Sequence, residues 1–100
     1  MRAPILLAAC LATPALASSP SAWAKGDRAA VKACLAASGL RDGRASERVL
    51  FGDATGRTAM LVRGRWPRRH MGGGPGVMLC LYDRRTRTAE AAEAKGWSAP

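Results

Sequence analysis

Arginine is the residue of this sequence best suited to recognising a partner. The 100 residues include 16 Lys or Arg against 7 Asp or Glu, which gives a formal net charge of +9. Guanidinium groups bind phosphate and carboxylate through paired hydrogen bonds. Trp66, a candidate aromatic contact, lies among the first of two basic stretches. The candidate anion-binding residues of the two stretches are Arg63, Arg65, Arg68, Arg69, Arg84, Arg85 and Arg87. The alternative is a solvated surface that is arginine-rich for compositional reasons only.

Other chemistries are weakly supported. His70 and Met71, together with Met78 and Cys80, are residue types that bind soft metals, but their number and spacing are poor for a metal site. The glycine-rich segment 72–76 precedes a strand and lacks the Lys-Ser/Thr ending of a phosphate-binding loop. We therefore expect neither a metal nor a cofactor.

The pattern also does not favour an enzyme. With a single histidine in the chain, no Ser-His-Asp arrangement has evident support. The carboxylates that could form an acid–base pair are scattered over predicted turns and strand surfaces. They are Glu47, Asp53, Asp83, Glu90 and Glu93. We expect a non-catalytic protein.

Residues 1–24 have the layout of a secretory signal peptide, with Arg2 followed by an apolar run over 5–11. That run is far shorter than the ~20 residues needed to span a bilayer. Small residues allow cleavage after Ala17 or after Ala24, and we favour Ala24, which leaves 25–100 as a single small domain. Cys10 fits a lipoprotein signal, but too little apolar sequence precedes it. We expect a periplasmic or secreted bacterial protein without a transmembrane segment, so nucleic acid is not the expected partner.

Two cysteines remain after cleavage, Cys34 and Cys80. An even pair in an exported protein indicates a disulfide. A reactive thiol would need a neighbouring base or cation, and neither cysteine has one in a suitable position. The bridge would stabilise a domain of this size by roughly 4 kcal/mol.

The predicted fold begins with a helix. Asp27 is a good N-cap for residues 28–38, which have high helix propensity. Val31, Cys34 and Leu35 recur at the spacing of a buried helical stripe. Gly39 is expected to end the helix.

Extended patterns follow a polar connector at 41–46. Strands are predicted over 48–51, 58–66 and 76–82, with a weaker strand over 87–94. Turns lie at 53–56 and 83–86, and residues 67–75 form a loop. The expected fold class is α+β, with one N-terminal helix packed on a three- to four-stranded antiparallel meander and joined to it by the disulfide.

Strand alternation assigns faces to the third predicted strand. If Cys80 bonds to the helix, Met78 and Tyr82 share its face, whereas Val77, Leu79 and Leu81 face away. The loop and the tail with Trp97 could cover that second face, or a second protein could. The first interpretation is therefore a module that binds an anionic envelope component: anionic lipid, lipopolysaccharide, peptidoglycan or an acidic protein. The alternative is a protein-interaction or inhibitor module that uses Val77, Leu79 and Leu81.

Overall fold

One helix lies on one face of an antiparallel sheet. The computed structural model describes residues 19–68 and 72–99. Helix α1 is followed by five strands that form a sheet in the order β1-β3-β4-β5, with β2 also paired to β3. The predicted α+β class is confirmed. The elements are α1 (Pro20–Ser38), β1 (Arg41–Ala45), β2 (Val49–Leu50), β3 (Arg57–Arg65), β4 (Pro75–Asp83) and β5 (Thr88–Glu93).

Helix α1 begins seven residues before the predicted N-cap, Asp27. Ser19 is the actual N-cap, and its side chain accepts a hydrogen bond from the backbone N–H of Ala22 at 3.1 Å. Pro20 occupies the first helical turn, where its fixed φ is favourable and no N–H is missed. At the other end, Gly39 has a φ of 70° and ends the helix as predicted. Cleavage after Ala24 would therefore fall inside α1, whereas cleavage after Ala17 would leave it whole.

The sheet has five strands, whereas three or four were predicted, because most of the predicted connector at 41–46 forms β1. Its sequence, Arg-Asp-Gly-Arg-Ala, has no apolar alternation, and only pairing with β3 makes it a strand. The register is irregular between Arg41 and Arg44, and Asp42 has a φ of 54°. The other four strands lie within a few residues of their predicted bounds.

The core lies between α1 and the sheet, and the disulfide is at its centre. Cys34 on α1 is bonded to Cys80 on β4, with a Cα–Cα distance of 5.8 Å and both residues 0% exposed. The predicted bridge is thus present. Ala30, Met60, Val62 and Tyr82 complete the buried cluster. No helix among the described residues is long and apolar enough to cross a membrane.

Gly64 allows β1 to approach β3 closely. A Cβ atom built on Gly64 would lie 2.6 Å from the backbone oxygen of Arg41 and 2.9 Å from the Cβ of Leu40. Backbone atoms cannot move aside as a flexible side chain can. The position therefore requires glycine for reasons of space.

Replacing Gly64 tests this packing. We expect Gly64→Ala to lower the free energy of unfolding by about 2 kcal/mol, because β1 must shift away from β3. Gly52→Ala is the matched control, since its Cβ would meet nothing within 4 Å. Denaturant unfolding of both variants measures the difference, and equal stability would show that the close approach is not required.

Candidate binding surfaces

The two predicted basic stretches lie at opposite ends of the sheet. Arg63 and Arg65 pair with Val77 and Pro75 at the start of β4, whereas the second stretch follows the end of that strand. The strand between them spans roughly 25 Å at about 3.3 Å per residue. The candidate arginines therefore form two separate groups, and the antiparallel pairing of β3 with β4 keeps them apart.

At the first end, four arginines form what we call the arginine quartet: Arg41, Arg44, Arg63 and Arg65. Arg41 is paired across the strands with Arg65, and Arg44 is paired with Arg63. Like charges directly opposite one another destabilise a sheet. The ion pairs found among the described residues, Arg48–Asp27 and Arg57–Asp83, include no member of the quartet.

The surroundings of the quartet leave its charge uncompensated. Asp42 lines the same shallow depression as Arg44, Arg63 and Arg65 but forms no ion pair with them. Arg65 donates from Nε to the backbone oxygen of Gly73 at 3.2 Å, which leaves its terminal nitrogens without a recorded acceptor in the described chain. Such a cluster is chemically suited to phosphate or carboxylate oxygens.

The remaining residues of the first stretch have different environments. Arg68 is exposed just beyond β3. Trp66 lies on the α1 side of the sheet, where its indole covers Gly76. A Cβ atom at Gly76 would come within 2.7 Å of the indole Nε1 and 2.8 Å of Leu40. Trp66 thus packs away from the quartet. Arg69, His70 and Met71 lie outside the described residues.

The quartet borders an apolar region on the sheet face that points away from α1, which we call the open face. The register puts Val77, Leu79 and Leu81 on this face, as predicted, beside Ala59 and Leu61 of β3. Leu81 is 39% exposed and Val49 of β2 is 56% exposed, whereas Ala59 and Leu61 are each only 8% exposed. Trp97 of the tail remains 60% exposed, so it is not buried against this face. The two interpretations drawn from the sequence therefore concern neighbouring parts of one surface.

At the second end, Arg84 holds three parts of the structure together. It donates to the backbone oxygens of Arg57 and Phe51 and, at 3.2 Å, to the hydroxyl of Thr58. These bonds join the β4–β5 turn to β3 and to the segment after β2. The side chain of Arg84 is therefore used within the fold, although its sequence context alone suggested an anion-binding role.

The other two arginines of the β4–β5 turn, Arg85 and Arg87, differ from Arg84 in their environment. Backbone N–H groups of Thr86 and Arg85 donate to Asp83, and these bonds lower the pKa of the Asp83 carboxyl. Arg85 is exposed. Arg87 has a φ of 64°, a left-handed conformation that costs an L-residue roughly 1 kcal/mol or more.

A cavity of about 430 Å³, here called the helix–sheet cleft, lies between the N-terminal half of α1 and the second end of the sheet. Trp23, Leu50 and Tyr82 supply apolar walls, and Lys25 and Arg87 supply charge. Tyr82 is only 6% exposed, and its hydroxyl has no hydrogen-bond partner among the residues described. Buried tyrosine hydroxyls usually have one. The sequence predicted that Tyr82 faces the helix but did not predict the cleft that Tyr82 lines.

Asp27, the carboxylate that the described residues contribute to the cleft, is already paired. Asp27 receives two hydrogen bonds of 2.8 Å from the Nε and Nη2 atoms of Arg48. This pairing lowers the pKa of Asp27 and keeps the group ionised. The cleft therefore retains the positive charge of Lys25 and Arg87.

Within residues 19–68 and 72–99, no group of three or more His, Cys, Asp or Glu is placed to hold a metal ion. Comparison with family models, with curated proteins and with solved structures gave no match. The interpretation of function therefore rests on the geometry of the quartet, the open face and the cleft.

The two neighbouring arginines of the turn should differ sharply in their effect on stability. We expect Arg84→Ala to lower the free energy of unfolding by about 2 kcal/mol, because it leaves several acceptors unpaired. Arg85→Ala, the matched control, should change it by less than about 0.5 kcal/mol, as is usual for exposed sites. Thermal or denaturant unfolding measures both. Equal effects would mean that the bonds of Arg84 do not hold the turn.

Proposed function

We propose that the protein is a non-catalytic exported module that binds an anionic component of the cell envelope through the arginine quartet. The supporting observation is the pair of cross-strand contacts, Arg41 with Arg65 and Arg44 with Arg63, which have no carboxylate partner in the described chain. A bound anion would offset the repulsion within each pair. Phosphate and carboxylate are the two groups that a guanidinium binds best, because each can accept two parallel hydrogen bonds from it.

The open face favours a lipid among the anionic candidates. The quartet and the apolar residues Val77, Leu79 and Leu81 occupy the same side of the sheet, and Leu81 is 39% exposed. A phosphate-bearing lipid, including lipopolysaccharide, offers anionic head groups above an apolar layer. Peptidoglycan and acidic proteins would use the charge of the quartet but not the apolar surface beside it.

An extracytoplasmic location supports this choice of partner. The Cys34–Cys80 disulfide is consistent with an oxidising compartment. An N-terminal signal peptide, cleaved after Ala17 or after Ala24, would deliver the chain to the periplasm or outside the cell. In either place the abundant anionic partners are lipids, lipopolysaccharide and wall polymers rather than nucleic acid.

Vesicle binding tests the proposal. The oxidised protein should bind phosphatidylglycerol-containing vesicles and not pure phosphatidylcholine vesicles, and its affinity should fall as salt screens the charges. Arg44→Gln combined with Arg63→Gln should weaken binding by roughly 30-fold, at about 1 kcal/mol for each charge near the membrane.

A matched control separates the quartet from net charge. Arg28→Gln combined with Arg85→Gln removes the same charge from exposed sites on α1 and on the β4–β5 turn, and it should leave most of the affinity. If both double variants lose affinity equally, only the overall charge matters and the quartet is not a site. Unchanged binding in the quartet variant would also refute the proposal.

The second candidate is a protein-interaction or inhibitor module that uses Val77, Leu79 and Leu81. The exposure of Leu81 and Val49 on the open face supports it, because exposed apolar patches often mark protein interfaces. Binding that is insensitive to salt but lost on Leu81→Asp would favour this candidate over the anionic one.

A further inference from the structure

We propose that the helix–sheet cleft is a second binding site, distinct from the arginine quartet, for a small amphipathic carboxylate. Its volume of about 430 Å³ is within the range of small-molecule pockets, roughly 300–1,000 Å³. Such pockets are mainly apolar and contain a few polar groups that orient the ligand. The cleft has this composition.

The hydroxyl of Tyr82 provides the first orienting group. The side chain lines the cleft and is 6% exposed, yet the hydroxyl has no partner within the described residues. Thr58 is comparably buried, but its hydroxyl does have a partner, because it accepts a hydrogen bond from Arg84. A ligand that supplied an acceptor would give the Tyr82 hydroxyl the hydrogen-bond partner that buried polar groups usually have.

The charge of the cleft sets the sign of the ligand. Lys25 and Arg87 line it together with Arg84, whereas its carboxylate, Asp27, is held by Arg48. Arg87 is kept in a left-handed conformation, where glycine would be more stable. The β4–β5 turn imposes this conformation, because the backbone N–H of Arg87 donates to the backbone oxygen of Asp83 at 2.7 Å. The side chain of Arg87 lines the cleft and adds a cation there.

The walls define the rest of the ligand. Trp23 of α1 and Leu50 of β2 offer an apolar surface, and Trp23 is 52% exposed without a ligand. A carboxylate needs few donors, and the Tyr82 hydroxyl together with the Arg87 guanidinium can supply them. We therefore assign the cleft to an alkyl or aryl chain that ends in a carboxylate.

The site depends on where the exported chain begins. Trp23 precedes Ala24, so cleavage after Ala24 would remove this wall together with the Ser19 cap. Cleavage after Ala17 would keep both. The inference therefore requires a mature chain that retains Trp23, which the mass of the exported protein establishes directly. A mature chain that begins at Lys25 would overturn the proposal.

Calorimetric titration of the oxidised exported protein with decanoate tests the ligand class. Decanoate should bind, whereas decanol should bind at least about tenfold more weakly because it lacks the charge. Acetate should not bind measurably, since it has no apolar chain. Absence of decanoate binding, or equal binding of decanol, would overturn the proposal.

Two variants test the residues. Tyr82→Phe should weaken decanoate binding by about tenfold without lowering the melting temperature, because the hydroxyl of Tyr82 makes no hydrogen bond to residues 19–68 or 72–99. Arg87→Gly should weaken decanoate binding by a similar factor and raise the melting temperature, since glycine relieves the left-handed conformation. Arg85→Gln, on the same turn but outside the cleft, is the control and should change neither.

The variants also separate this site from the arginine quartet. If Tyr82→Phe binds decanoate normally but melts at a lower temperature, the hydroxyl is satisfied within the fold and the proposal is wrong. The quartet variant, Arg44→Gln with Arg63→Gln, should bind decanoate with unchanged affinity. Loss of decanoate binding in that variant would mean that the carboxylate binds at the quartet instead.

Discussion

The covalent bond between α1 and β4 is the constraint on which the rest of the structure depends. Among the residues that the structure describes, Val62, Cys34 and Cys80 are the largest fully buried side chains, so the two cysteines form much of the core as well as the bridge. Alanines form much of the remaining contact between α1 and the sheet, namely Ala30 of α1 and Ala89 and Ala91 of β5. Alanines bury little apolar area, and a small domain with such a core needs a further source of stability.

Helix α1 covers one face of the sheet, so the open face lies on the side away from the helix. The open face combines apolar residues of β3 and β4 with the arginine quartet at its β1 end. On the other side, α1 extends beyond the disulfide toward its N-terminus and forms the helix–sheet cleft with β2 and the β4–β5 turn. The two proposed sites lie on different sides of the same sheet and have different ligands. A surface for extended anions and a pocket for a small amphipathic one can therefore operate independently.

The sequence predicted those features whose cause is local or covalent. Three features could be predicted because each follows from residue type and period. They are the cysteine pair, the end of α1 at Gly39 and the alternation of faces along β4. The edge strand β1 could not be predicted, since pairing with β3 overrides its polar composition. Two of the four quartet residues, Arg41 and Arg44, were missed for that reason.

The sequence also could not predict which of the candidate arginines lie close together. Arg63 and Arg84 are separated along the sequence by a loop and one strand, and only the antiparallel register shows that they lie at opposite ends of the sheet. Arg84 donates to three acceptors of the fold, whereas Arg87 lines the cleft. Residues of one type in one short segment thus have different roles, which depend on contacts with distant parts of the chain.

The stability of the fold without the disulfide shows most directly whether the structure depends on this bond. We expect the double variant Cys34→Ala with Cys80→Ala to lose about 4 kcal/mol of unfolding free energy, the value for closing a loop of this length. Reduction of the wild-type protein should lower it by a similar amount. This loss is comparable with the whole stability of a small domain, roughly 5 kcal/mol, so the variant should be close to its unfolding transition in water. If the oxidised and double-variant proteins instead unfold at the same denaturant concentration, the bridge is not what holds α1 on the sheet.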